Sequence, residues 1–263
     1  MTTIAILGLG EAGRLYATGL RAAGAVVRGY DPSIDISGAG VPQAASVAEA
    51  VDGADVVLSL VGAPAAEEAA RDALAAARGE TVFADLNTAA PDVKRRIAAE
   101  ARERRVPMAD VAVLAPVPRA GHRTRLVASG DGAQRFAEHV TPLGVPVEVV
   151  AGEAGEAARL KLLRTVFMKG LATLILESVG AARAAGAEEW MREQLAHELG
   201  PGGRDLVERL IDGTYRHAVR REIEVRDALE ELERLGAADD MTRATLAWFE
   251  RIVAERDADS ADG

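Results

Sequence analysis

The 263-residue chain predicts an α/β fold, a doubly wound and mostly parallel sheet, followed by an all-α C-terminal domain. Three observations carry this expectation. A strand, a glycine-spaced turn and a helix fill the opening of the chain; short apolar runs then alternate with helical stretches; and strand signals end after Glu153. The boundary is placed near residue 152, giving segments 1–152 and 153–263.

Thr3–Leu7 reads as a buried strand, followed by Gly8-Leu9-Gly10-Glu11-Ala12-Gly13 and a helical run over 14–23 that Gly24 stops. Gly8 permits the tight turn, Gly10 lets backbone approach a pyrophosphate, and Gly13 lets the helix sit close on the strand. Free N–H groups at the helix start meet the anion. Val26–Tyr30 forms a second strand, and Asp31 follows where a carboxylate accepts hydrogen bonds from an adenosine ribose. Strand, helix, second strand and acid together predict a Rossmann domain. Asp31 repels a ribose 2′-phosphate, and Pro32-Ser33-Ile34-Asp35 offers no cation to bind one, so NAD is expected over NADP.

Further strands are expected at 54–61, 81–85, Met108–Val113, Leu126–Ser129 and 145–150, with helices over 65–78 and 91–105 between them. Pro91 stands at a first helical position, where its missing N–H costs least. The strand runs are continuously apolar, as in strands buried on both faces. Beyond the boundary, residues 155–185 form one helix ended by Gly186, on the order of 45 Å long. Helices over 188–198, 204–211, 214–235 and 241–255 follow, and the acidic tail 256–263 is expected to fray.

The composition is 49% hydrophobic and 27% charged, enough for a sizeable core. With no cysteine and four histidines, disulfides and thiolate sites are excluded and no metal site is expected. A net charge of −10 argues against a nucleic-acid partner. The acid concentrates late: 15 basic and 18 acidic residues in 1–152 give −3, and 16 and 23 in 153–263 give −7. No uninterrupted apolar run approaches the ~20 residues of a membrane span, and the chain opens directly into a strand. No membrane partner and a cytoplasmic location are therefore expected.

Only three of 31 basic residues are lysine: Lys94, Lys161 and Lys169. Arginine cannot release its proton near neutral pH, whereas lysine does when burial or a neighbouring cation lowers its pKa. Lys161 and Lys169 share the long helix, so each is a candidate proton carrier or an ordinary solvated residue.

Gly8-Leu9-Gly10-Glu11-Ala12-Gly13, Tyr30-Asp31, Leu58-Ser59-Leu60-Val61 and Asp85-Leu86-Asn87-Thr88-Ala89-Ala90-Pro91 resemble, in order, the cofactor-side motifs of the 6-phosphogluconate and β-hydroxyacid dehydrogenase superfamily. Gly155-Glu156-Ala157-Ala158-Arg159-Leu160-Lys161, running to Phe167-Met168-Lys169-Gly170, resembles the start of that family's helical domain, where a lysine carries the chemistry. Three further segments resemble a branch termed phosphogluconate dehydrogenase NAD-binding-like, with a distinctive helical C-terminal domain: the run from Met108 to Pro118, Ser129-Gly130, and His217-Ala218-Val219-Arg220-Arg221-Glu222. The family's Ser-Gly-Gly substrate clamp is replaced by Leu114-Ala115-Pro116, and its Asn or His beyond the lysine by Arg164 and Thr165. The resemblance thus leaves the substrate open.

At 100° per residue, Arg164, Thr165 and Met168 lie within about 60° of Lys161, while Lys169 is turned about 80° away. Lys161 is therefore the expected catalytic residue. Arg164 lowers its pKa by like charge and binds an anionic group, or else pairs with Glu156 or another acid of the domain. Arg119, His122, Arg123 and Arg125 form a basic loop that either meets an anionic substrate or is merely solvated. His217, Arg220, Arg221 and Glu224 share a helix face that either approaches the cleft or pairs at the surface, the second being the favoured reading. Leu60 and Val61 are assigned to the cofactor with the glycine loop; Asn87 and Thr88 place the nicotinamide end or cap the helix at Pro91.

The expected activity is NAD-dependent hydride transfer between nicotinamide and a small anionic hydroxy or oxo compound, with Lys161 as proton donor and acceptor. An imine or ketone reductase and a catalytically silent NAD-binding module are the alternatives; related imine reductases generally lack the lysine. A homodimer through the helical half is expected, because a lone helical half with a long first helix leaves apolar surface exposed.

Overall fold

The computed structural model describes residues 1–35 and 40–261, with backbone only for 257–261. Seven strands, β1 (Thr3–Leu7), β2 (Val26–Tyr30), β3 (Val56–Ser59), β4 (Val82–Asp85), β5 (Met108–Val113), β6 (Leu126–Ser129) and β7 (Val147–Val149), form one sheet in the order β2-β1-β3-β4-β5-β6-β7. Pairings from β2 through β5 are parallel, β5–β6 is antiparallel and β6–β7 is parallel. The segment between β5 and β6 holds two short 3-10 turns in place of a crossover helix, so β6 returns against β5.

Among the described residues, α1 (Glu11–Ala22), α2 (Val47–Val51), α3 (Ala66–Ala76), α4 (Pro91–Glu103) and α5 (Ala133–Val140) cover the sheet. Ile4, Ile6, Val56, Leu58, Val82 and Ala84 pack with Tyr16 and Leu20 of α1 and Phe136 of α5. The alternate positions Ala5, Leu7, Val57 and Phe83 face α2, α3 and α4 through Val51, Ala70, Leu74 and Ile97. Burial on both faces is the physical reason the strand runs are apolar throughout. Strand order reverses between β1 and β3, and at such a switch point the carboxyl ends of the strands leave a crevice for a ligand.

The chain divides into two compact units, Met1–Lys161 and Leu162–Gly263, within α6 (Glu156–Ala184). The first turns of α6 belong with the sheet, since Ala157 packs on Ala112 and Val127. The second unit comprises the rest of α6, α7 (Glu188–Glu198), α8 (Gly203–Arg216), α9 (Ala218–Leu235) and α10 (Asp240–Ala261). Its cores join Ala172, Ile175 and Val179 to Val207 and Leu210, and Val225 and Leu229 to Leu246 and Phe249. The tail expected to fray from residue 256 is helical through Ala261; residues 262–263 lie outside the described ones.

By length and composition alone α6 is able to cross a membrane, with an 18-residue window of mean hydropathy 1.3, one third of it buried. The expectation of no membrane-length segment therefore holds only for uninterrupted runs: Arg164, Lys169 and Glu177 punctuate a helix that is otherwise apolar enough.

Candidate active site

β1 delivers the chain into the glycine turn at the switch point, with β2 on one side and β3 on the other. Gly8 has φ 90° and donates its N–H to the Tyr30 carbonyl at 2.9 Å; a Cβ there would lie 2.5 Å from the Leu60 carbonyl oxygen. A Cβ on Gly13 would collide with the Gly8 carbonyl oxygen, so α1 reaches the strand end only as glycine. Gly10 is different, because nothing lies within 4 Å of the space its side chain would fill. No side chain caps α1, whose first-turn residues are Glu11, Ala12 and Gly13. Open space over uncapped N–H groups fits the diphosphate of a dinucleotide.

Asp31 holds this loop from the end of β2. One carboxylate oxygen accepts the Leu9 N–H at 2.8 Å; the other accepts those of Ser33 and Ile34 at 2.9 and 3.0 Å. Across the turn, Leu60 donates its N–H to the Leu7 carbonyl at 2.7 Å, and Leu60 and Val61 press their backbone against Gly8.

Asn87 is buried and braces the ends of β3 and β4. Its Oδ1 accepts the Gly62 N–H at 2.7 Å, and its Nδ2 donates to Ser59 Oγ at 2.9 Å and Asp85 Oδ1 at 2.5 Å. Helix α4 has Ala90 as its N-cap residue and no side-chain cap, so neither Asn87 nor Thr88 caps it. Thr88 is instead the acceptor for Lys161, whose Nζ donates to Thr88 Oγ1 at 2.9 Å.

Lys161 is carried there by α6, whose N-terminus is fixed by side chains from the sheet rather than by a local cap. Asp110 Oδ2 accepts the N–H groups of Gly155 and Ala158 at 2.9 and 3.0 Å, and Ser129 Oγ accepts that of Ala157 at 3.0 Å. Beneath them lies Lys94, 1% exposed, donating at 2.9 Å to both the carbonyl and Oδ2 of Asp85 and standing 3.5 Å from Asp110 Oδ1. Lys94, Ser59, Asp85, Asp110 and Ser129 escape the sequence reading as site residues. A signal exists for the lysine: it shares the stripe of Ile97 and Ala101, the core-facing side of α4.

Other expected site residues go elsewhere. The His122 ring packs against Gly19 of α1, about 13 Å along the helix from Gly10 at 1.5 Å per residue. Burial, then the charge of Arg123, holds its pKa below the ordinary range. Arg119 is exposed on the same loop, and Arg125 stands 3.8 Å from Glu148. Glu156 pairs with Arg159 at 2.5 Å rather than with Arg164, which is exposed one turn beyond Lys161, beside Thr165. Lys169 pairs with Glu224 at 2.7 Å; burial, opposed by that carboxylate, lowers its pKa. Arg221 donates to the buried Thr214 Oγ1 at 2.6 Å and Arg220 lies 3.7 Å from Glu224, so this helix face pairs partly inside the helical unit rather than at its surface.

Residues 3–143 match the family described as the NAD binding domain of 6-phosphogluconate dehydrogenase, and residues 182–252 match a domain of unknown function (DUF1932). A probable 3-hydroxyisobutyrate dehydrogenase of Mycobacterium bovis is 37% identical over 171 residues, 61% of this chain and 58% of that one. The chain spans 66% and 58% of the lengths of curated relatives it matches, less than two thirds. A conserved hypothetical protein of Sinorhizobium meliloti, solved as a crystal structure, has a TM-score of 0.76 at 33% identity, covering 95% of this chain and 88% of that one. A Mycobacterium tuberculosis 3-hydroxyisobutyrate dehydrogenase solved with L-serine shares the fold, with TM-score 0.81 at 24% identity over 97% of this chain and 94% of that one. The chain therefore belongs to the family of the NAD binding domain of 6-phosphogluconate dehydrogenase, and its helical end carries the domain of unknown function.

Proposed function

We propose that the protein is an NAD-dependent oxidoreductase acting on a small anionic hydroxy or oxo compound, with Lys161 moving the hydroxyl proton. The observation that carries this reading is the 2.9 Å bond from Lys161 Nζ to Thr88 Oγ1, which sets a lysine amine beside the segment that follows β4. Bound NAD supplies the hydride chemistry at its nicotinamide ring. The Gly8–Gly13 turn receives the diphosphate, Asp31 the adenosine ribose, and Leu60, Val61, Asn87 and Thr88 the nicotinamide side. In oxidation the neutral Lys161 amine withdraws the hydroxyl proton; in reduction its ammonium returns it. Thr88, as acceptor, orients the Lys161 amine.

Arg164 and Thr165 of α6 are proposed to meet the substrate's anionic group; Arg119, on the loop after β5, is a separate anion contact proposed for the sheet unit, and no such role is left to His122 while its ring lies against α1. Leu114-Ala115-Pro116 in place of a polar clamp favours a substrate other than that of the hydroxyisobutyrate enzymes. A second copy of the chain is proposed as partner of the helical unit, over the exposed Phe167 and Leu174 of α6. The functional test is a panel of small hydroxy acids, their phosphorylated relatives, ketones and imines, offered with NAD or NADP and followed by reduced-nicotinamide absorbance. Turnover of a hydroxy or oxo acid with NAD, at least about tenfold better than with NADP, is expected from the carboxylate of Asp31. No turnover on the whole panel contradicts the reading.

A further inference from the structure

We propose that Lys94 is a positioning residue for this reaction: its buried ammonium ties Asp85 to Asp110 and thereby holds Thr88 and Lys161 in register. The inference rests on the role proposed for Lys161.

The Lys94 ammonium donates to the Asp85 carbonyl and to Asp85 Oδ2, each at 2.9 Å, and stands 3.5 Å from Asp110 Oδ1, a buried oxygen that this ion pair meets without a hydrogen bond. Each carboxylate then runs to one end of the Lys161–Thr88 bond. Asp85 Oδ1 accepts the backbone N–H of Asn87 at 3.1 Å and its side-chain Nδ2 at 2.5 Å, so the turn leading into Thr88 is folded around that group. Asp110 Oδ2 accepts the N–H groups of Gly155 and Ala158, and Lys161 follows Ala158 by three residues on the same helix. Asp85 and Asp110 occupy paired positions on neighbouring parallel strands, which puts both carboxylates within reach of one lysine from α4.

The charges explain why a cation is needed. Lys94, Asp85 and Asp110 have side chains 1%, 0% and 0% exposed, and their charges sum to one negative. The α6 N-terminus, equivalent to about half a positive charge, faces that excess. Without the ammonium, two buried carboxylates repel across the gap and the two bonded segments lose their common anchor. A shift on the order of 1 Å between Thr88 and Lys161 is enough to lower a rate about 100-fold.

The test exploits the lysine count. With only Lys94, Lys161 and Lys169 in the chain, 13C,15N-lysine labelling gives one side-chain signal for each. Lys94→Met is compared with wild type, with Thr88→Val, which breaks the bond directly, and with Lys94→Met/Asp110→Asn. The double variant returns the cluster to the wild-type sum of one negative charge while keeping an oxygen for the α6 N–H groups, and it serves where the single variant does not fold. The Lys161 signal is expected to move to its Thr88→Val position in each folded Lys94 variant while Lys169, paired with Glu224, stays in place. In the assay, kcat is expected to fall about 10- to 100-fold with nucleotide KM little changed, and to stay low in the double variant even where thermal stability returns. A Lys161 signal that keeps its wild-type position, or a kcat that recovers together with stability, overturns the proposal. If wild type turns over nothing, the functional reading fails while the NMR comparison still decides the register.

Discussion

Gly10 and Gly13 stand three residues apart in one loop and are glycine for different reasons. A Cβ on Gly13 collides with the Gly8 carbonyl, whereas one on Gly10 enters empty space. Gly13→Ala is therefore expected to cost about 1–3 kcal/mol of stability by overpacking and to lose NAD binding with it. Gly10→Ala costs about 1 kcal/mol or less, as an exchange at a helix N-cap, yet weakens NAD about tenfold or more by filling the diphosphate space. Thermal melts beside NADH fluorescence titrations check both, and parallel losses in the two variants contradict the distinction. These positions were legible in the sequence because each constraint is local, a turn or a close approach at fixed spacing. Lys94 was not, because its partners come from strands 9 and 16 residues away whose register only the folded sheet supplies. His122 was misleading for a related reason: a basic loop reads as solvated or substrate-facing until tertiary packing lays its imidazole on the gap left by Gly19.

At the scale of elements, α6 carries the most consequence. Its N-terminal turns are pinned by Asp110 and Ser129, and farther along it leaves Phe167 66% and Leu174 57% exposed. These two lie seven residues apart and so share one face. Trp190, Tyr215 and Ile223 of the same unit are also more than half exposed. Apolar groups of that size are expected to be covered by the same face of a second copy, a self-complementary two-fold contact. Light scattering at micromolar concentration should give a dimer, and Phe167→Glu with Leu174→Glu a monomer; a monomeric wild type contradicts this. The strands were predicted within a few residues, since burial on both faces leaves unbroken apolar runs, and so were α1, α3, α4, α6 and α7; α8 runs to Arg216 rather than 211, α9 starts at Ala218 rather than 214, and α10 continues to Ala261 rather than 255. Two helices were missed. α2 has five residues, yet its Ser-x-x-Glu start was readable: Ser46 Oγ, at the N-cap, accepts the Glu49 N–H at 3.1 Å, and Glu49 Oε2 accepts the N–H of Ala45, one residue earlier, at 2.7 Å. α5 starts without a side-chain cap, leaving only the buried Ala133, Phe136, Ala137 and Val140 to mark it.

For the molecule as a whole, the sequence separated a sheet half from a helical half, and the fold bears out that class. The unit division at Lys161, rather than in the loop before α6, follows from tertiary capping that no local pattern announces. The catalytic proposal concentrates on that residue: the amine at the end of the sheet unit, bonded to Thr88, moves the substrate proton. The most direct test is Lys161→Ala, with kcat/KM and the NADH dissociation constant measured on the same preparation. A fall in kcat/KM of about 100- to 10,000-fold is predicted, with NADH affinity unchanged because the glycine turn and Asp31 are untouched. A variant that binds NADH and turns over at the wild-type rate would contradict the account.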